Sequence, residues 1–232
     1  TDITNGQGNT FYVATVGSDN NTLANGGNAG LHQDTPFLTI TKALGTATSG
    51  DTIIVAPGEY QEAFPMTVPD GVTIRGTNLR STQVKPTNAT NSNTAFIMSG
   101  DSHISDLTIK DFFYDSVNDD GYAFEVVSSM NSTQSPYIER VTVNTKGSVV
   151  SGSDPYGYAQ GDAGRGAKLD GANLNAASLH SSVLFNECTF ITPNQVGVKI
   201  TNGMRVEWLN CFKYFASVGI QGVQGATGKA GA

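Results

Sequence analysis

One spacing of apolar residues recurs four times along the chain: apolar, two free positions, apolar, one free position, apolar. It reads Ile104–Leu107–Ile109, Ile138–Val141–Val143, Phe185–Cys188–Phe190 and Val206–Leu209–Cys211. The residue inside the shorter gap is Thr108, Thr142, Thr189 and Asn210 in turn, always small and polar. An alternating apolar pair precedes each copy: Phe96/Met98, Phe124/Val126, Ala167/Leu169 and Val198/Ile200. A repeat this short cannot bury its apolar face alone, so it has to stack on its neighbours. The chain is therefore predicted to be a wound coil of strands.

The alternating pairs start at 96, 124, 167 and 198, and a similar segment starts at Val218. The shortest spacing sets a minimal circuit of about 20–22 residues, room for three short strands and their corners. The expected architecture is all-β, a right-handed single-stranded parallel β-helix. Stacking then makes vertical columns, Ile104 over Ile138 over Phe185 over Val206 facing inward and the threonines with Asn210 facing outward. The longer circuits carry polar insertions at 127–137, 144–166 and 170–183, expected to project from one face.

Turn chemistry agrees. Pro57-Gly58 and Pro69-Asp70-Gly71 separate short β-branched runs, with Pro presetting φ and Gly supplying positive φ. One segment has helical spacing, with apolar residues at Phe37, Ile40, Ala43 and Leu44 behind Thr35-Pro36 and before Gly45. A short helix over 37–44 would cover the otherwise open first circuit. The predicted organisation is a leading linker over 1–10, the β-helix over 11–218 and a tail over 219–232.

In that tail Gly219, Gly222, Gly225, Gly228 and Gly231 recur at a period of three. This is collagen-like Gly-x-x spacing, where only Gly fits at the axis of three wound chains. A Gly-rich linker has the same look. The triple-helical reading predicts a homotrimer.

Charged residues make up only 14% of the chain and the net charge is −7, without a Lys/Arg run, so no nucleic-acid partner is expected. No apolar stretch reaches the length of a membrane span, and no signal peptide is visible. The chain starts at Thr1, which reads as a piece of something longer. Cys188 and Cys211 fall in different slots of the repeat, so they read as small buried hydrophobes and not as a disulfide. No metal spacing surrounds them, and no metal or cofactor is expected.

Chemistry-bearing residues are sparse. Asp111, Asp115, Asp119, Asp120 and Glu125 form the densest acidic region, and Asp119-Asp120 is the candidate carboxylate pair for glycan chemistry or Ca²⁺. A solvated loop explains the same run. Arg165 and Lys168 beside Asp162 and Asp170 offer a generic base-and-carboxylate set. Tyr156 and Tyr158, in Asp154-Pro155-Tyr156-Gly157-Tyr158, are the candidate aromatic contacts for a sugar or a partner protein.

Two stretches carry a family resemblance. Phe11–Asp19, Thr35-Pro36-Phe37-Leu38-Thr39-Ile40 and Gly50-Asp51-Thr52 through Pro57-Gly58-Glu59-Tyr60 resemble the start of pectate-lyase-like right-handed parallel β-helix proteins. Pro69–Thr82, Ser135-Pro136-Tyr137-Ile138 and Gly166–Gly171 are similar to structural proteins of tailed phages, notably of cyanobacteria. That resemblance implies a virion protein of tail-fibre or tailspike type, trimeric, contacting other virion proteins and a host surface glycan. It brings no catalytic residue, because Gly-His-Gly and Arg-x-Lys are both absent, and the chain is expected not to be an enzyme. The alternative is a polysaccharide depolymerase, lyase or hydrolase, acting on that glycan.

Overall fold

The computed structural model describes residues 8–25, 28–126, 135–172 and 182–223. Its strands are short and their pairing is parallel throughout. In chain order they are β1 (Thr10–Val13), β2 (Thr52–Val55), β3 (Gly58–Glu62), β4 (Met66–Val68), β5 (Thr73–Gly76), β6 (Thr82–Pro86), β7 (Phe96–Met98), β8 (His103–Lys110) and β9 (Tyr122–Val126). They continue as β10 (Tyr137–Asn144), β11 (Arg165–Asp170), β12 (Val183–Asn186), β13 (Thr189–Ile191), β14 (Val196–Thr201), β15 (Val206–Leu209), β16 (Phe212–Tyr214) and β17 (Val218–Val223).

Pairing sorts these strands into three walls. The first runs β1-β2-β5-β8-β10-β12-β15, and the third runs β4-β7-β9-β11-β14-β17. The second joins β3 and β6 to the later halves of β8 and β10, then β13 and β16. Each circuit passes through all three walls before the next stacks on it, which is the arrangement of a parallel β-helix.

The corner between the first two walls has a local cause. Asp106 and Arg140 interrupt β8 and β10 with φ of 60° and 46°, and Glu187 and Asn210 do the same between the strands of later circuits. Left-handed backbone costs an L-residue energy, least for Asn and Asp. One such residue turns an extended chain without ending the ladder. At Gly76 a Cβ would overlap the carbonyl oxygen of Asp106, so the chain needs Gly there for the circuits to approach.

The core follows from the register. Phe11 pairs with Ile53, Ile53 with Ile74, Ile74 with Ile104, Ile104 with Ile138, Ile138 with Phe185 and Phe185 with Trp208. All but Trp208 are buried. On the third wall Met66, Phe96, Phe124, Ala167, Val198 and Ile220 align in the same way. The alternating pairs thus stack as expected.

The fourth copy of the longer spacing does not. It is displaced by two residues: Trp208, not Val206, lies under Phe185, and Phe212, not Asn210, lies under Thr189. The error arises because Lys213 occupies the position of the buried Phe190, which hides the true third apolar slot. The corrected register also puts Cys188 and Cys211 in one slot of adjacent circuits. The Cys188 amide lies 3.4 Å from Cys211 Sγ, and both thiols are free.

The helix is shorter than expected. α1 spans Ile40–Leu44, because Phe37 bridges to Val13 in extended backbone and Thr39 is the cap, its side chain accepting from the Lys42 amide. Asp19 takes the Leu38 and Thr39 amides, and the buried Glu62 takes those of Ile40 and Thr41. These acceptors satisfy the orphan donors of the helix start. No helix among the described residues is long and apolar enough to cross a membrane.

The strands that flank the three insertions do not all belong to one corner of the coil. Segments 127–137 and 170–183 lie between the third wall and the first, whereas 144–166 lies between the second and the third. Residues 127–134 and 173–181 fall outside the described residues. In the tail, Gly219 and Gly222 stand in β17, paired with β14, so the sheet runs past the expected boundary at 218. Gly225, Gly228 and Gly231 lie outside the described residues.

Candidate functional site

The outward residues of the third wall come one from each alternating pair. In register they are Ile97, Glu125, Lys168, Lys199 and Gln221. Stacking therefore places two ammonium groups directly above one another, with a carboxylate next in line. Two like charges at such spacing repel unless an anion intervenes.

The anion is Asp119, delivered by a small hairpin at the corner between the second and third walls. Asp115 and Asp120 exchange backbone hydrogen bonds of 2.9 and 3.2 Å, and Asp115 Oδ1 accepts from the Val117 amide to hold the turn. Gly121, at φ 90°, lets the return strand pass where a Cβ would overlap the Phe113 carbonyl oxygen. Asp119 itself has φ 52°. This geometry turns its carboxylate over the lysine ladder.

Asp119 Oδ2 lies 2.7 Å from Lys199 Nζ and 3.5 Å from Lys168 Nζ, which also sits 3.2 Å from Glu125 Oε1. Asp119 Oδ1 accepts from the hydroxyls of Tyr122 at 2.8 Å and Tyr114 at 3.1 Å. Arg165 donates to the Tyr122 oxygen at 3.0 Å and to Gln195 Oε1 at 2.9 Å. Its guanidinium lies 3.4 Å over the Tyr114 ring. Gln195 in turn donates to the Gly161 carbonyl. Three cations against two carboxylates leave the cluster with an excess of positive charge on an acidic protein.

Burial alone would raise the Asp119 pKa, but hydrogen bonds from Lys199, Tyr122 and Tyr114 and the Lys199 charge bring it down to about 2. Burial pushes the Tyr122 and Tyr114 phenols up, so both stay neutral. Burial works against the Lys168 charge, yet Glu125 and Asp119 outweigh it and hold that ammonium above its ordinary pKa. The site thus offers an ionised carboxylate, two neutral phenols and fixed cations. Asp119 and both lysines are partly open to solvent, whereas Tyr122 is fully buried.

The sequence candidates divide. Asp119 is central. Asp120, its neighbour, turns away and accepts from the amide and hydroxyl of Thr94 and from the Gly121 amide. Arg165 and Lys168 join Asp119, not Asp162 and Asp170. Asp162 takes the Ser148 amide, and Asp170 takes Ala172 and Asn202. Tyr156 stacks on Phe215 at 4.8 Å and Tyr158 meets the same ring edge-on at 6.2 Å, which pins their loop to the last circuit. Lys199 and Gln195 were missed. Lys199 was legible as the residue between Val198 and Ile200, one circuit on from Lys168. Among the described residues no three His, Cys, Asp or Glu side chains gather to hold a metal ion.

A family described as "Protein of unknown function (DUF1565)" matches residues 22–94. No curated protein matches the chain. Among solved structures, a rhamnogalacturonan lyase resembles it with a TM-score of 0.54 at 15% identity, over 94% of this chain and 62% of that one. The chain therefore spans less than two thirds of that lyase, and the likeness bears out a pectate-lyase-like parallel β-helix fold. It also overturns the expectation that the chain is not an enzyme. That expectation rested on missing sequence motifs, and at such identity a shared architecture does not keep its chemistry in a fixed motif.

Proposed function

We propose that this chain acts on an acidic polysaccharide as a lyase, cleaving next to a uronate by β-elimination. The observation that carries the reading is the stacked pair Lys168–Lys199 with Asp119 laid across it. Elimination at a uronate needs three things: neutralisation of its carboxylate, removal of the proton α to that carboxylate, and a proton for the leaving oxygen. Lys168 and Lys199 receive the carboxylate. Asp119, which loses its cation partners to the incoming carboxylate, becomes a stronger base and takes the α-proton. The carbon–carbon double bond forms as the glycosidic carbon–oxygen bond breaks. Tyr114, a neutral phenol on Asp119, gives its proton to the leaving oxygen and is refilled from Asp119. The solved structure whose architecture this chain shares is named for lyase action on rhamnogalacturonan, which supports a polysaccharide as the substrate class.

The test is incubation with acidic polysaccharides, galacturonans first, while following ultraviolet absorbance of unsaturated uronate ends. Activity is expected, with kcat reduced about a hundredfold or more by Asp119→Asn and by Tyr114→Phe. No unsaturated ends from any acidic polymer would sink the reading.

A second reading, a trimeric fibre or spike component of a phage particle that meets a host glycan, draws support from the glycine spacing of the tail. It is also favoured by the exposed Leu209, Phe212, Tyr214 and Phe215 of the last described circuit. Mass measurement in solution and antibody labelling of particles decide it. A monomer absent from particles is incompatible with it.

A further inference from the structure

We infer that a second site, a cleft of about 320 Å³ beside the Asp119 cluster, binds a uronate residue of an acidic oligosaccharide. The inference takes its ligand class from the proposed function and adds a separate subsite.

Successive circuits build this cleft at the corner between the second and third walls. Gln61 and Lys85 are register partners on β3 and β6. Asp111 follows β8, and Lys146 follows β10. From Gln61 to Lys146 the cleft therefore crosses three circuit steps, roughly 14 Å at the usual strand spacing. That length suits two or three linked sugar rings. Phe113 closes it from the hairpin that also carries Asp119.

The chemistry of the lining is that of an anionic sugar site. Lys146 is exposed and makes no hydrogen bond or ion pair among the described residues. Lys85 shares Glu59 with Lys110, at 2.5 and 2.7 Å, so Glu59 is divided between two ammoniums. Phe113 is half-buried and has no ring partner among the described residues. Its open face suits the C–H face of a pyranose. Asp111 and Gln61 supply acceptors for sugar hydroxyls.

The two sites share a wall. Phe113 and Tyr114 are neighbours in extended chain, so their side chains point to opposite sides. Phe113 lines the cleft, while Tyr114 reaches Asp119. The strand is held in place by the Phe113 amide on Asn91, the Tyr114 amide on Asp162 and the bridge from Phe113 to Ala163. A chain seated on Phe113 therefore lies across this strand from the Asp119 cluster.

The test is calorimetric titration with trigalacturonate, with maltotriose as the neutral comparison. The intact protein is expected to bind the first and not the second, more weakly as salt rises. Lys146→Ala and Phe113→Ala should each weaken binding about tenfold or more, and Lys146→Arg should restore most of it. Lys146 is exposed, so its variants test the idea without risk to folding. Equal binding by Lys146→Ala, or no binding of trigalacturonate by the intact protein, overturns the inference. Turnover is measured in parallel. Lys146-dependent binding without any elimination leaves the subsite standing and removes the proposed reaction. Elimination whose KM ignores Lys146→Ala does the reverse.

Discussion

Asp106 and Arg140 sit one above the other at the same corner of adjacent circuits, both in left-handed backbone, joined by two hydrogen bonds of 2.6 and 3.0 Å. The pair links backbone to side chain: each residue turns the chain, and the turn aims each side chain at the other. Arg75, one circuit earlier, adds a third charge 3.8 Å from Asp106.

The corner predicts an unusual order of substitutions. Asp106→Ala loses the ion pair and keeps the left-handed backbone without a favoured residue, whereas Asp106→Gly loses only the pair. The glycine variant should be the more stable of the two by about 1 kcal/mol. Urea unfolding of both measures this. An alanine variant as stable as the glycine one would mean that the corner carries no backbone strain.

Core and surface should separate sharply. Ile138 is fully buried between Ile104 and Phe185, so Ile138→Ala should cost about 2–5 kcal/mol. Val117, 89% exposed at the tip of the site hairpin, should tolerate Ser within about 0.5 kcal/mol. Equal effects from the two substitutions would contradict the stacking register.

Asp119 makes stability depend on acid. Its carboxylate titrates near 2 in the folded protein, against an ordinary 3.8. A depressed carboxylate stabilises the fold fully above 3.8, and this contribution disappears as pH falls toward 2. Unfolding midpoints of the intact protein and of Asp119→Asn, taken stepwise over that window, should converge as pH drops. A gap that stays constant would show that Asp119 is not held by Lys199 and the tyrosines.

The cysteines should differ in reactivity. The hydrogen bond to Cys211, together with burial, pushes the Cys188 thiol up, while Cys211 is half-buried and its pKa is lowered by its hydrogen bond with Cys188. The thiolate is the reactive form. Native protein should therefore release one equivalent of chromophore quickly from a disulfide reagent, and Cys211→Ser should abolish that phase. Two equal fast equivalents would place both thiols at the surface.

Much of the fold could be read directly because a strand has a side-chain period of two. The pairs Phe96/Met98, Phe124/Val126, Ala167/Leu169 and Val198/Ile200 announce an inward face, and burial permits only one register for them. The fourth copy of the longer spacing escaped because Val206, Leu209 and Cys211 fit the same pattern two residues out of step. Only pairing with β12 distinguishes the two registers, and Lys213 at an inward position removes the cue. The helix start was set by a contact no local rule contains, the bridge from Phe37 to Val13.

The site divides along the same line. Local alternation along the chain determined that Glu125, Lys168 and Lys199 face outward in one column, since each lies between two buried residues of its strand. The tertiary structure alone decided that Asp119 would lie across that column, that Asp120 would turn to Thr94, and that Arg165 would settle on Tyr114. Those choices depend on a hairpin folding back over a wall made largely of later strands. A spacing rule describes neighbours along one strand, whereas the charge of this site arises between segments that become neighbours only when the circuits close.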